Sequence, residues 1–431
     1  MDTPLTQHIR PDREPLDLRS YEQAGGYQAL RQALTLAPQA ITRLVTEAGL
    51  RGMGGAGFPT GRKWSAVPMG PDAPRPKYLV VNADEMEPGT FKDRLLLEGD
   101  PHQMVEAIVV SAYAIQADVA YIFLRGEYVL AAQRLQRAIA EAYAGGYLGR
   151  DILHSGYHLE LYLHISAGRY ICGEASALLN ALEGRRAIPR AKGVRTAVSG
   201  LWGRPTIVNN VETLCNVPHI VLHGAEWFKA LGRGQAGGTK IYGVSGKVRR
   251  PGTWELPMGT PMREILEAHA GGLRDGLALR GVLPGGASTE FVLPEQLDVA
   301  MDFDSMATVG SRLGTGTMIV LDDQTCPVGL LANLEHFFAR ESCGWCTPCR
   351  DGLPWVQQTL AAIDAGRGAP EDLELLAMHT RFLGPGYTFC GLAPGAMEPL
   401  QSGLRHFRED FERHIRERRC PWGADHGDHL H

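Results

Sequence analysis

The chain has no excess of basic residues: 43 Lys and Arg stand against 48 Asp and Glu, for a formal net charge of −5. That balance excludes the basic footprint needed to hold nucleic acid or an anionic lipid surface. A long apolar run is also missing. The most apolar stretch, residues 104–124, is broken by Glu106, Gln116 and Asp118, short of the about 20 nearly uncharged residues that span a bilayer. Any membrane association is therefore expected through partners. Met1-Asp2-Thr3-Pro4-Leu5 has no charged start followed by an apolar core, so no secretory leader is read and a cytoplasmic location is expected. Cysteine is scarce, with 8 in 431 residues, and no disulfide framework is expected in that compartment. No internal repeat is visible. A composition that is 44% hydrophobic and 21% charged suits an ordered chain of two to four domains with ample core.

Four of the eight cysteines are grouped. Glu341-Ser342-Cys343-Gly344-Trp345-Cys346-Thr347-Pro348-Cys349-Arg350 carries three at C-x₂-C-x₂-C spacing, and Cys390 in Thr388-Phe389-Cys390 supplies a fourth. Three thiolates on one short segment fit the closely spaced irons of a cuboidal cluster, with the fourth iron reached from elsewhere. A structural zinc takes two separated cysteine pairs instead. The spacing therefore points to a [4Fe–4S] site at Cys343, Cys346, Cys349 and Cys390, and a one-electron carrier needs an electron source. Cys172, Cys215, Cys326 and Cys420 are scattered, and three of these four are expected to be plain buried thiols.

Hydrophobic patterning predicts strands at 77–82, 119–124 and 157–163, with helices over 102–115 and 128–144 between them. Alternation of this kind indicates an α/β layered domain with a largely parallel sheet. Residues 1–50 read as an N-terminal helical extension and 51–238 as the α/β domain. From 239 to 328 short strands, a helix over 262–269 and Gly/Pro turns fit a small β-grasp-like domain. Helices predicted at 330–339, 353–365, 370–383 and 396–418 make 329–431 a helical bundle holding the four cysteines. The tail residues His426, His429 and His431 are expected to be a solvated end.

Gly52-Met53-Gly54-Gly55-Ala56-Gly57 satisfies G-x-G-x-x-G, but a helix rather than a strand precedes it, so the dinucleotide fingerprint is incomplete and a plain flexible loop competes with it. Its neighbours strengthen it. Glycine allows close backbone approach, Phe58 is available to stack and Lys63 to meet a phosphate. Asn82-Ala83-Asp84-Glu85-Met86-Glu87-Pro88-Gly89-Thr90 leaves a buried strand where α/β proteins place ligand contacts. Gly168-Arg169-Tyr170-Ile171-Cys172-Gly173-Glu174 and Val208-Asn209-Asn210-Val211-Glu212-Thr213 likewise join glycines or paired amides to an acid. Each alone is also compatible with a capped turn.

Taken with the cysteine motif, these segments resemble the NADH-binding flavoprotein subunits of bacterial respiratory complex I (NADH-quinone oxidoreductase), over about residues 20–415. The resemblance implies an FMN in a Rossmann-like domain, a β-grasp (ubiquitin-like, SLBB) domain and a helical bundle with one [4Fe–4S] cluster. It implies as partners a thioredoxin-like [2Fe–2S] subunit and a large multi-cluster iron–sulfur subunit, in the peripheral arm at the cytoplasmic face of the inner membrane. Carried over by position, FMN contacts fall on Gly52, Gly54, Lys63, Asn82, Asp84, Glu85, Tyr170, Gly173, Glu174, Asn209 and Asn210, and NADH contacts on Phe58 and Glu87. Cofactor-binding positions extend to Met53, Gly55, Gly57, Ala175, Arg195, Val208 and Thr213. NADH gives up a hydride, two electrons at once, whereas a cluster takes one; a flavin bridges that mismatch. No general base is required, and Glu85 is expected to tune the flavin and orient the nicotinamide.

The chain departs from the family on the dinucleotide side. Ala175 stands where a second acid is usual, Arg195 where an aromatic is usual, Ala66 where an aromatic is common, and Met53 where arginine is usual. Loss of a repelling carboxylate, with Arg195 near in sequence, leads us to expect weaker selection against NADPH, with NADH the default donor. Two other functions fit parts of the chain: a diaphorase subunit of a soluble NAD-linked hydrogenase or formate dehydrogenase, and a non-catalytic zinc-binding assembly protein.

Overall fold

Runs of buried aliphatic residues form the first sheet. Leu79, Val80, Val81 and Ala83 of β1 (Tyr78–Ala83) have no exposed surface, as expected of a parallel strand covered on both faces. With β2 (Val119–Leu124), β3 (Glu160–Ile165) and β4 (Thr206–Asn210) it makes an all-parallel sheet in the order β3-β2-β1-β4. The third strand starts at Glu160 rather than 157, because the backbone before it pairs elsewhere: Ile152 N–H donates to the Tyr157 carbonyl at 2.8 Å, and Gly149 and Leu159 exchange N–H···O bonds at 3.0 and 3.1 Å. The computed structural model describes residues 2–191, 193 and 195–423. The chain divides into two compact units, the first comprising Met1–Met86, Phe91–Tyr242 and Thr253–Thr260, the second Glu87–Thr90, Gly243–Gly252 and Pro261–His431.

In the first unit the Pro101–Ile115 helix is buried almost all round, with only Tyr113 partly exposed, which marks it as a core helix rather than a membrane span. Glu106, an interruption in the apolar pattern, anchors the N-terminal extension. Its carboxylate accepts from the Tyr21 hydroxyl at 2.7 Å and from the backbone N–H groups of Tyr27 and Leu30 at 2.8 and 3.1 Å. Those contacts hold the short helices Leu18–Gln23 and Gln28–Ala33, which precede Pro38–Glu47. Further upstream, Glu255 accepts from the Leu5 and Thr6 amides.

The second sheet comprises β5 (Thr239–Ser245), β6 (Gly252–Pro257), β7 (Leu279–Leu283) and β8 (Thr317–Asp322), in the order β6-β5-β8-β7. Within the second unit β5 and β8 run parallel and β7 antiparallel to β8, a mixed sheet of the β-grasp kind. Helices Pro327–Glu341, Thr347–Asp364, Pro370–Phe382, Leu392–His406 and Arg408–Glu417 follow. The single helix expected over 396–418 is two. Phe407 leaves helical geometry at φ −121°, ψ 24° and is buried edge-on against Phe291, with ring centroids 5.0 Å apart. Glu335 is fully buried in this unit, and neither carboxylate oxygen has a hydrogen-bond partner among the described residues. Burial pushes its pKa well above the usual carboxylate range. No described helix is long and apolar enough to cross a membrane.

Candidate functional site

The chain leaves β1 toward β2 and β3 on one side, then returns to place β4 on the other. The crevice at the carboxyl ends of β1 and β4 is therefore a topological switch point, where open parallel sheets bind ligands. Asn82 and Asn210 are register partners at that end, and Asp84 and Asn209 lie beside them in sequence, both buried. The glycine-rich loop closes over the same place. Gly52 N–H donates to the Phe58 carbonyl at 2.9 Å and Gly57 N–H to that of Gly52 at 3.2 Å. The Met53 N–H donates to Thr213 Oγ1 at 2.8 Å. A Cβ on Gly54 would stand 3.1 Å from Asn210 Cβ, so a side chain there would push Asn210 by a few tenths of an ångström. Gly55 and Gly57 have left-handed φ of 118° and 61°. The loop is thus tied by its own backbone hydrogen bonds and by Thr213.

Lys63, in the short Thr60–Trp64 helix behind the loop, donates to the Val208 carbonyl at 2.9 Å. No carboxylate pairs with it among the described residues, and burial lowers its pKa. A desolvated ammonium with donors to spare and no counter-ion is a site for an anion such as a phosphate. Trp64 Nε1 fixes Asn209 through Oδ1 at 2.9 Å. Across the crevice, Asn82 Nδ2 donates to the Gly173 carbonyl at 3.2 Å. A Cβ on Gly173 would meet nothing within 4 Å, so the Tyr170–Gly173 turn faces open space. Glu174 caps the Ala175–Leu182 helix, accepting from Ala177 N–H at 2.8 Å and from Ser176 Oγ at 2.6 Å. The donors, the amides and the open turn fit a flat, phosphorylated ring system.

Glu85 is held at both carboxylate oxygens. Its Oε1 accepts from the Lys92 and Asp93 backbone N–H groups at 3.0 and 2.9 Å, and its Oε2 from Arg94 N–H at 3.2 Å and the Tyr128 hydroxyl at 2.9 Å. The carboxylate thus caps the start of the Asp93–Gly99 helix. Burial, with neighbouring Asp93, raises its pKa to about 7 against the pull of Lys92 and these hydrogen bonds. Beneath it lies a buried ionic network. Lys92 Nζ contacts Asp93 at 2.6 Å and Glu212 at 2.9 Å, and Lys240 Nζ contacts Glu212 at 3.0 Å. Burial disfavours the Lys92 charge, but Asp93, Glu212 and Glu85 overcome it and raise the pKa. Asn210 Nδ2 donates to Asp93 Oδ2 at 2.5 Å. The network therefore sets the position of a crevice residue. Tyr128, Lys92, Asp93 and Lys240 belong to none of the motifs read from sequence; only the Lys-Asp pair just past the 82–90 motif hints at them.

Phe58 and Arg195 are exposed, and the Arg62 guanidinium lies over the Phe58 ring at 5.9 Å. Lys192 and Val194, which flank the Arg195 segment, fall outside the described residues, as does the histidine tail. Glu87 belongs to the second unit, where Ser288 donates to it from N–H at 2.6 Å and from Oγ at 3.0 Å.

The cysteine site lies wholly in the second unit. Cys343 and Cys346 occupy the connector before the Thr347–Asp364 helix, helped by Gly344 at φ 74°, and Cys349 sits in its first turn. Trp345 packs edge-on against Phe389 at 6.0 Å and joins this connector to the Cys390 segment. Cys349 is 5% exposed and its Sγ is 3.1 Å from Ser342 Oγ. Burial pushes its pKa up to about 12; the Ser342 hydrogen bond opposes this, while Cys346, Cys390 and Cys343 add to it. Four thiols from two segments, mutually repelling once ionised, fit positively charged irons that would hold them as thiolates.

An α/β crevice for a phosphorylated ring and a four-thiol site in one chain define a flavin- and iron–sulfur-bearing oxidoreductase component. The family described as "Nuo51 FMN-binding domain" matches residues 45–219, "SLBB domain" residues 240–319, and "NADH-ubiquinone oxidoreductase-F iron-sulfur binding region" residues 329–414. The F subunit of the NADH-quinone oxidoreductase of Escherichia coli (strain K12) is 54% identical over 415 residues, covering 96% of this chain and 93% of that protein. The second F subunit of Rhizobium meliloti (strain 1021) is 52% identical, covering 94% and 96%, and the F subunit of Mycobacterium bovis 45%, covering 97% and 96%. An NAD⁺-reducing [NiFe]-hydrogenase in its H₂-reduced state superposes with a TM-score of 0.82 at 35% identity, covering 94% of this chain and 67% of that one. The chain belongs to the family of NADH-quinone oxidoreductase F subunits.

Proposed function

We propose that this chain is the electron-input component of an NADH:quinone oxidoreductase, accepting a hydride from NADH onto FMN and passing single electrons to a [4Fe–4S] cluster. FMN supplies the conversion of a two-electron donor into one-electron steps. The chain's own residues bind and orient. Lys63 and the 52–57 loop hold the phosphate end, Asn82, Asp84, Asn209 and Asn210 hydrogen-bond the polar ring and ribityl groups, and Phe58 offers a stacking face for the dinucleotide. Glu85 is a positioning residue, fixing the helix that carries Asp93 and, through it, Asn210. Cys343, Cys346, Cys349 and Cys390 are the cluster ligands. The observation that carries this reading is a half-buried ammonium, without a carboxylate partner among the described residues, beside the glycine-rich loop in one unit and four thiols within electrostatic reach of one another in the other.

The diaphorase reading rests on the hydrogenase likeness, but about one third of that chain has no counterpart here, whereas the curated relatives are matched over 93–96% of their length. We therefore place the chain in a respiratory complex, at the cytoplasmic face of the peripheral arm, with a thioredoxin-like [2Fe–2S] subunit and a multi-cluster iron–sulfur subunit as partners. Anaerobically purified protein is expected to hold about four irons per chain at this site, to show flavin absorbance, and to reduce ferricyanide with NADH. Colourless, well-folded protein with zinc on the four sulfurs would overturn the assignment.

The nucleotide preference is the finer point. Ala175 opens the Ala175–Leu182 helix, whose N-terminal end favours anions, and it lacks the carboxylate that would oppose a 2′-phosphate. Ala175→Glu is expected to lower the NADPH-to-NADH ratio of kcat/KM about tenfold, the equivalent of about 1.4 kcal/mol. An unchanged ratio, with strong NADH preference in both proteins, rejects the idea.

A further inference from the structure

Two of the cysteines read as scattered are brought together. Cys326, Asp364, His414 and Cys420 offer one ligand atom each, and all four atoms lie within 4.8 Å of one another. Cys326 Sγ is 3.3 Å from His414 Nε2 and 3.9 Å from Asp364 Oδ1, and His414 Nε2 is 3.6 Å from Asp364 Oδ1. Zinc bonds of about 2.0–2.3 Å in a tetrahedron give ligand–ligand edges of about 3.3–3.8 Å. The three separations of 3.3, 3.6 and 3.9 Å span that range. This group shares no residue with Cys343, Cys346, Cys349 and Cys390.

The surroundings favour a cation over a chance meeting of polar groups. His414 is fully buried and its Nδ1–H donates to the Asp410 carbonyl at 2.7 Å, which leaves Nε2 with its lone pair facing the two thiols and the carboxylate, the outer-sphere arrangement of a metal-bound histidine. Cys326 caps the Pro327–Glu341 helix, and Gly329 N–H donates to its sulfur at 3.2 Å, a contact that fixes where the sulfur points. Asp364 ends the Thr347–Asp364 helix and His414 lies on Arg408–Glu417. Arg418, at a left-handed φ of 53°, turns the chain so that Cys420 comes back to the bundle. Trp422 stacks on the His414 ring, with centroids 5.8 Å apart and planes at 18°.

We infer that Cys326, Asp364, His414 and Cys420 form a structural site for a borderline-soft divalent cation, zinc by donor set and geometry, that clamps the C-terminal segment to three helices of the bundle. Two thiolates, an imidazole and a carboxylate fill a tetrahedron and leave no open position, so the site is structural rather than catalytic. Binding releases the two thiol protons.

Element-specific measurement on the full-length holoprotein, purified anaerobically from zinc-replete cells, tests this without relying on the flavin reading. About one zinc per chain is expected beside the iron, with K-edge absorption giving two sulfurs at about 2.3 Å and two lighter ligands at about 2.0–2.2 Å. The Cys326→Ser/Cys420→Ser protein is expected to lose the zinc while keeping its iron and flavin. The absence of zinc overturns the inference. So does a four-sulfur shell, which places the zinc on the other cysteines, or an intact mass short by two hydrogens from a Cys326–Cys420 disulfide.

Discussion

Cys349→Ser is expected to remove the iron–sulfur cluster and with it all NADH-driven electron delivery to quinone, while part of the NADH–ferricyanide activity, which a small soluble oxidant can draw from the flavin directly, survives. The expectation rests on the position of this thiol. It is the most buried of the four, it lies against Ser342, and the three other thiols are near enough to act on its charge. A serine hydroxyl is a poor iron ligand, and an incomplete cysteine set leaves one iron of the cube without its thiolate. Iron is expected to fall from about four per chain to near zero, measured together with flavin content so that loss of fold is told apart from loss of cluster. Cys326→Ser makes the matching control. If iron and quinone reduction vanish in Cys326→Ser and persist in Cys349→Ser, the cluster has been put on the wrong cysteines.

Lys92→Met is expected to be the most destabilising single change in the first unit. Lys92 has no exposed surface and neutralises Asp93 and Glu212, which are themselves buried. Deleting one partner of a buried ion pair leaves an uncompensated charge and costs about 3–5 kcal/mol. For a unit of this size about 2–4 °C of melting temperature goes with each kcal/mol, so a fall on the order of 10 °C is predicted. FMN retention should fall in parallel, because Asn210 is held through Asp93 and Glu85 caps the helix that carries it. A melting temperature within about 2 °C of the parent protein, with full flavin, would mean that Lys240 alone balances the network.

Much of this is legible along the chain. Strand β2 is an unbroken apolar run, and its expected and observed bounds agree residue for residue at Val119–Leu124. Three of the cysteines proposed as cluster ligands stand out by their spacing within seven residues. The glycine-rich segment can be seen but not judged from sequence, since its usual preceding strand is absent; the close approach of Gly54 to Asn210 gives it a structural reason. Other features hide because their partners are far away in sequence. Glu106 reads as a flaw in an apolar stretch and is the anchor of residues 21–30. Lys240 lies 28 positions from the Glu212 it neutralises. Phe407 carries no helix-breaking signal, and its burial against Phe291 ends the helix.

The residue order determined the classes of chemistry, because periodicity, glycine spacing and short cysteine spacing are local properties fixed by covalent neighbours. It determined the α/β alternation, the flavin-type motifs and the four cysteines proposed to hold the cluster. Only the tertiary structure decided which distant groups share a buried volume: that Glu85 caps a helix, that Lys63 meets a carbonyl and no carboxylate among the described residues, and that Cys326, Asp364, His414 and Cys420 converge. A charge or a thiol takes its role from desolvation and from the partners within a few ångströms, and packing alone supplies both.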